Sequence, residues 1–188
     1  MRAATLCFLL LSLPALAQPA LAQTRPNSRA AEFDALFAGL KAAPSEATAA
    51  KIEARLHQLW GQSIAPSAVL LLNRSTRELN HDAAQDALED VEAALVIDPA
   101  APEGYHRRAL ARSALGDFPG ALADLQETLT REPRYFPALA SLSHIAEARE
   151  DHKGALAAWQ KLLELNPKHP DGQDRLKTLT RNALGSDT

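Results

Sequence analysis

The chain has 188 residues, enough for one domain of ordinary size, and its hydrophobic (46%) and charged (23%) fractions are those of a folded globular protein. Aromatic residues make up only 5% and Ala and Leu dominate the apolar residues, so helices are favoured over strands. The net charge of −3 gives no basis for nucleic-acid binding. The single cysteine, Cys7, lies in the N-terminal apolar segment, so a chain without that segment would contain no disulfide and no thiolate metal site.

The N-terminal residues are predicted to be a secretory signal peptide. A positive start is followed by an apolar run over residues 3–13, and two small-x-small signals allow cleavage after Ala17 or after Ala22. The run is too short to span a bilayer well, since a span needs about 20 apolar residues. We therefore expect residues 1–22 to be removed, residues 23–28 to form a flexible leader, and the mature protein to be periplasmic.

Residues 29–66 are predicted to form an N-terminal helical hairpin. An apolar stripe at helical spacing ends at Pro44, and Ser45 suits the N-cap of a second helix that ends near Gly61. The stripe of the first helix consists of Phe33, Leu36, Phe37 and Leu40. The apolar face of the second consists of Ala49, Ile52, Leu56, Leu59 and Trp60.

The part of the chain that follows the hairpin repeats itself at an offset of 34 residues. Small, bulky and proline positions coincide in three copies, namely Ala87, Ala121 and Ala155, then Leu88, Leu122 and Leu156, then Leu95, Leu129 and Leu163, then Pro99, Pro133 and Pro167. Within a copy the apolar residues recur at helical intervals, and the proline ends the helix because it lacks an amide donor. In the turn before that helix, Gly116 suits a C′ position, and Asp117 and Asp151 suit N-caps.

The middle copy resembles a tetratricopeptide repeat, which has 34 residues, apolar residues at fixed positions and a closing proline. We interpret residues 68–99, 102–133 and 136–167 as three such repeats. The resemblance implies an all-α fold, a right-handed α-solenoid of helix-turn-helix repeats with helical caps. Residues 170–184 are predicted to be a C-terminal capping helix, since an end repeat needs a partner for its apolar face. The apolar residues of this helix are Leu176, Leu179, Ala183 and Leu184.

The hairpin at the other end has two interpretations. We expect it to cap the first repeat. It is alternatively a degenerate extra repeat, because Ala54 and Pro66 keep the distance that separates alanine from proline in the repeats.

The first helices of the repeats depart from the family pattern by carrying charges. Arg74 and Arg108 share one register, and Glu78 and Arg112 share the next turn. Because stacked repeats bring equivalent positions together, we expect Glu78 to pair with Arg112 across the interface and with Arg74 at i, i+4. Exposed pairs of this kind contribute roughly 0–1 kcal/mol each.

Motifs for catalysis and metal binding are missing from the sequence. No two of the six histidines stand at i, i+4, and there is no nucleophile elbow or phosphate-binding glycine loop. We therefore expect no enzymatic activity, no cofactor and no metal.

The resemblance implies that the first helices line a concave groove that binds an extended peptide or a partner's helix. Repeat register assigns nine residues to this groove: Leu72, Asn73, Thr76, His106, Leu110, Ser113, Ser141, His144 and Glu147. Family members that grip a C-terminal carboxylate have Lys, Arg or Asn where Leu72 and Thr76 stand, so a carboxylate clamp is not supported.

These features predict a protein-protein interaction scaffold or adaptor of the bacterial cell envelope. Three alternatives stay open. In the first, the protein has a structural role and self-associates weakly by end-to-end stacking. In the second, it is an accessory subunit of an envelope enzyme. In the third, the groove holds only water or the protein's own leader segment.

Overall fold

The computed structural model describes residues 28–185, and this part of the chain forms nine helices and no strand. The helices are α1 (Ser28–Lys41), α2 (Glu46–Gly61), α3 (Pro66–Asn80), α4 (Ala84–Ile97), α5 (Pro102–Ala114), α6 (Phe118–Arg131), α7 (Phe136–Ala148), α8 (His152–Leu165) and α9 (Gly172–Leu184). The predicted signal peptide, and the predicted leader apart from Ser28, lie outside the described residues. Within residues 28–185, none of the helices has the length and apolar content that a bilayer crossing requires.

Three helix pairs form the repeat array. They are α3 with α4, α5 with α6, and α7 with α8, and each pair is joined by a turn of three residues. Successive pairs stack, because α4 packs on α5, α6 on α7 and α8 on α9. The first helices also contact one another, α3 with α5 and α5 with α7. This arrangement confirms the predicted all-α solenoid.

Small residues at fixed positions allow the helices to pack closely. Ala87, Ala121 and Ala155 are fully buried. A β-carbon on Gly104 would lie 2.6 Å from Cδ2 of Leu95, so α5 reaches α4 only because position 104 has no side chain. The repeated alanines that predicted the period are therefore core residues of the helix pairs.

The turns within the repeats have the predicted caps. Asp117 and Asp151 each accept a hydrogen bond of 2.9 Å from the backbone amide of the glycine three residues later. Gly116 has a φ of +81°, as expected for a C′ glycine. The equivalent residues of the other repeats, Asp82 and Glu150, adopt similar positive φ values of 58° and 60° without being glycine. Repeat geometry thus imposes a left-handed residue at this position in all three turns.

The N-terminal hairpin forms as predicted but does not cap the first repeat. Ser45 caps α2 by accepting a hydrogen bond of 3.2 Å from the amide of Thr48. The buried residues of α1 and α2 share one apolar core with α5 to α9, whereas α3 and α4 belong to a second, smaller core. The physical reason is aromatic packing, because the ring of Trp60 lies 4.5 Å from that of Tyr135 and 5.5 Å from that of Phe136.

The end of the hairpin also differs from that of a repeat. Pro66 is the first residue of α3, whereas the repeat prolines Pro99 and Pro133 lie in the loops that follow the second helices. The spacing from Ala54 to Pro66 therefore does not reproduce the repeat's closing turn.

Helix α9 covers the end of the third repeat. Leu179 is fully buried and Leu176 is half-buried, and Nε1 of Trp159 donates a hydrogen bond of 2.9 Å to the carbonyl of Gly172. Leu184 was predicted to face the last repeat, but it is 74% exposed because it stands at the end of the helix, beyond these contacts.

The predicted charge network is half right. Arg74 and Glu78 pair at 3.4 Å, as expected, but the predicted contact of Arg112 with Glu78 across the interface is wrong. Arg112 instead contacts Asp124 at 2.8 Å, and Arg108 contacts the same carboxylate at 2.7 Å. The reason is that Asp124 on α6 is buried, so it draws both arginines inward within their own repeat. In the first repeat the buried Asp90 binds Arg74 in the same way.

Candidate partner-binding groove

The nine residues predicted for the groove lie on α3, α5 and α7, the three adjacent first helices. Their accessibility differs. Asn73 and His144 are exposed, whereas Leu72 and His106 are buried at 2% and 7% exposure. The other five are half-buried, namely Thr76, Leu110, Ser113, Ser141 and Glu147. The surface that a partner can reach is therefore polar, with Leu110 as its apolar member.

Hydrogen bonds link the groove residues from one helix to the next. His106 Nε2 and Ser141 Oγ share a bond of 2.9 Å between α5 and α7. Arg107 on α5 donates to Oγ1 of Thr76 on α3. Arg175 on α9 donates to the carboxylate of Glu147 on α7. The structure therefore joins four predicted residues, His106, Ser141, Thr76 and Glu147, in a polar seam that crosses all three repeats.

Sequence reasoning missed two residues of this seam, Arg107 and Arg175. The sequence did point to Arg107, because it occupies the same repeat position as Asn73 and Ser141, which were both predicted to line the groove. It is held by Glu103, one turn earlier on α5, at 2.9 Å. The sequence did not point to Arg175, because this residue belongs to the capping helix and has no equivalent in the repeats. Only the tertiary structure places its guanidinium 3.4 Å from Nδ1 of His144.

Helix α2 and the segment that joins it to α3 contact the loops that precede α5, α7 and α9. The amide of Ala65, just after α2, donates to Asp98 at 2.9 Å in the first loop. Trp60 packs on Tyr135 in the second loop. Glu53 accepts a hydrogen bond from Asn166 in the third. The hairpin therefore contacts the array near the N-terminal ends of α5, α7 and α9.

Burial sets the charge state of the histidines near the hairpin. Desolvation, reinforced by the neighbouring Arg107 and His57, lowers the pKa of His106 to about 3. Desolvation also lowers the pKa of His57, against the opposing pull of Glu103 and Glu53. The pKa of His144 is lowered by desolvation and by Arg175. At neutral pH these side chains are therefore neutral and act as hydrogen-bonding and aromatic groups.

Acidification is expected to destabilise the protein through His106. Because its pKa falls from 6.5 unfolded to about 3 folded, the folded state binds fewer protons between these values, and stability is lost as the pH falls through that window. Between pH 7 and pH 5 the loss from this residue is about 2 kcal/mol. Urea unfolding of the wild type and of His106→Gln at both pH values measures this loss, and the free energy of unfolding of the variant should fall by less than that of the wild type. Parallel losses in the two proteins would contradict the assignment.

The groove presents few groups for chemistry. Among residues 28–185 no group of three or more His, Cys, Asp or Glu side chains is arranged to hold a metal ion. The charged groups of the seam, Arg107 and Arg175, are each paired with a glutamate. The arrangement is suited to hydrogen bonding with the backbone or side chains of a docked polypeptide.

Comparison with known proteins gives relatives of the same architecture. No protein-family model matches the chain. A TPR repeat-containing protein of Rhizobium etli is 25% identical over 167 residues, which cover 89% of this chain and 80% of the relative.

Two solved structures show the same fold. The Sgt2 TPR domain from Aspergillus fumigatus is 25% identical, with a TM-score of 0.59 over 66% of this chain and 87% of that domain. The first TPR of Spaghetti (RPAP3), bound to the HSP90 peptide SRMEEVD, is 18% identical, with a TM-score of 0.60 over 65% of this chain and 99% of that domain. Together with the 34-residue register and the stacked helix pairs, these likenesses show that the chain has the fold of tetratricopeptide repeat domains and is similar to a curated TPR repeat-containing protein.

Proposed function

We propose that the protein is an interaction scaffold or adaptor of the bacterial cell envelope that binds a peptide or helix of a partner protein in its concave groove, and that it is not an enzyme. The observation that carries this proposal is the accessible polar surface of the adjacent first helices, on which Asn73 and His144 are exposed and Ser113 and Glu147 are half-buried. The Spaghetti domain, which shares the fold, is solved with a bound peptide. This supports a polypeptide as the ligand class.

The periplasmic location is supported by the order of charge, apolar run and small-residue cleavage site within residues 1–22. Cell fractionation of the tagged full chain, with mass determination of the mature N-terminus, tests it. Recovery of uncleaved chain in the cytoplasm would overturn the location and leave the binding proposal standing.

The groove is tested with substitutions at its two exposed positions. We expect Asn73→Glu combined with His144→Glu to reduce capture of envelope proteins by the immobilised protein at least tenfold, because both place a charge where a partner's backbone docks. The melting temperature should not change, since exposed substitutions leave the packing intact. Arg77→Glu, an exposed position on α3 that was not assigned to the groove, is the matched control. Undiminished capture would show that the groove is not the binding site.

A second function, self-association by end-to-end stacking, has one observation in its favour. The third position of the repeat is a buried small residue in the second and third copies, Gly104 and Ala138, but in the first copy it is Leu70, which is 72% exposed. The hairpin does not cover this end of the array, so an apolar side chain stands where a preceding repeat would pack. Light scattering over a range of concentrations separates a stacking protein from a monomeric adaptor.

A further inference from the structure

The α1–α2 hairpin occupies a surface that the array builds from its connecting loops and from the beginning of α7. Tyr135 and Phe136 are buried there at 2% and 3% exposure, and their rings meet Trp60. His57 meets the ring of Phe136 edge-on at 5.7 Å. The helix that meets these rings is α2, which presents Glu53, His57 and Trp60 at i, i+4 and i+7 on one helical face, while α1 contacts α8 and Arg134 beside it.

The fit of the hairpin to this surface is incomplete. Nε1 of Trp60, Nδ1 of His106 and Oδ1 of Asn166 are all buried there without a hydrogen-bond partner. A buried polar group without a hydrogen-bond partner makes packing of the hairpin less favourable, because the group has lost its hydrogen bond to water and gained none in return. The ion pair at the outer side, between Asp34 and Arg134 at 2.7 Å, is largely exposed and therefore weak.

We infer that the hairpin is a displaceable strap, and that the surface beneath it is a docking site for an amphipathic helix of a partner protein. Such a helix would carry a carboxylate and aromatic groups at i, i+4 and i+7, and would replace α2 on Tyr135 and Phe136. This inference rests on the proposed binding function and adds the helical class of partner and an internal competitor. Residues 62–65 join α2 to α3 and keep the displaced hairpin tethered to the array.

Tethering decides how strongly the strap competes. Because the hairpin is joined to the array by four residues, it returns to its site at a high effective concentration. A free helix therefore binds only to the fraction of molecules whose strap is open, and its apparent affinity rises when the strap is weakened.

The test uses a fluorescein-labelled peptide of residues 44–63 as the probe and the full chain as the receptor. In Trp60→Ala the strap is weakened, and we expect the peptide to bind at least tenfold more tightly than to the wild type. In Asp34→Cys with Arg134→Cys, made in a Cys7→Ser background, a cleavable bismaleimide cross-link holds the strap closed. Binding should then be lost, and it should return when the cross-link is cleaved.

Controls separate displacement from unfolding. A peptide that carries Trp60→Ala should not bind any receptor. A receptor that carries Asp34→Ala with Glu53→Ala loses polar contacts of the strap without leaving a cavity in the core, and it should also bind the unchanged peptide more tightly than the wild type does. Circular dichroism checks that each receptor is folded. Equal peptide binding by the wild type, Trp60→Ala and cross-linked chains would overturn the inference, and so would dimers with exchanged hairpins. Groove variants that leave partner capture unchanged would overturn the proposed groove function without affecting this result.

Discussion

Asp124→Ala is expected to lower the free energy of unfolding by about 3 kcal/mol, because it leaves buried positive charge without its partner. The carboxylate of Asp124 is almost fully buried and binds Arg108 and Arg112 at 2.7 and 2.8 Å, while both arginine side chains are about one-quarter exposed. The hydrogen bond to Asp124 raises the pKa of Arg108. The guanidinium also stays charged when the carboxylate is removed, because arginine is not deprotonated in proteins. Urea unfolding followed by circular dichroism measures the loss.

The third repeat indicates how this loss can be recovered. Its residues at the positions of Arg108, Arg112 and Asp124 are Leu142, Ala146 and Ala158, so the same packing there is apolar. Arg108→Leu with Arg112→Ala and Asp124→Ala should therefore be markedly more stable than Asp124→Ala alone, since replacing a whole buried ion network by apolar residues is often neutral. Asp174→Ala, which removes an exposed pair with Lys177, is the control and should show no change. A triple variant less stable than the single one would refute the apolar equivalence of the repeats.

Trp60→Ala is the second large expected effect, a loss of about 3–5 kcal/mol from the packing of the hairpin. The side chain is 4% exposed and its ring packs against those of Phe33 and Phe37 within the hairpin, and of Tyr135 and Phe136 on the array. Hydrogen exchange should accelerate in α1 and α2 and change little in α6 and α8, because the contacts between the stacked helix pairs of the array do not involve Trp60. Equal acceleration in all helices would show that hairpin and array unfold as one unit.

Phenylalanine at the two tryptophan positions provides a finer comparison. Nε1 of Trp60 has no hydrogen-bond partner, whereas Nε1 of Trp159 donates to the carbonyl of Gly172. Trp60→Phe therefore removes ring area alone, while Trp159→Phe also removes a buried hydrogen bond. We expect Trp159→Phe to cost more stability. The reverse order would indicate that Trp60 has a polar partner in solution.

The groove was only partly predictable, for a reason that His106 illustrates. Repeat register assigned it to the groove face of α5, but register carries no information about which residues lie opposite. Tyr135, which the loop after α6 brings to 5.4 Å from the His106 ring, and Ser141 on α7 remove this side chain from the accessible surface. His106 is therefore a structural link between repeats, and the exposed Asn73 and His144 replace it as groove probes.

The amino-acid sequence by itself determined the repeats. Each helix pair is stabilised by contacts between residues within about one repeat length, so the buried positions of Ala121 and Leu125 recur at each 34-residue step. Gly116 and Asp117 set the turn between the helices from within the turn itself. Only the tertiary structure decided where the hairpin lies and how the arginines pair. Trp60 meets Tyr135 across 75 residues of chain, and a single contact of this kind has no period that could reveal it. Such a contact depends on the stacked repeats, which bring Tyr135 and Phe136 together on the surface that Trp60 covers.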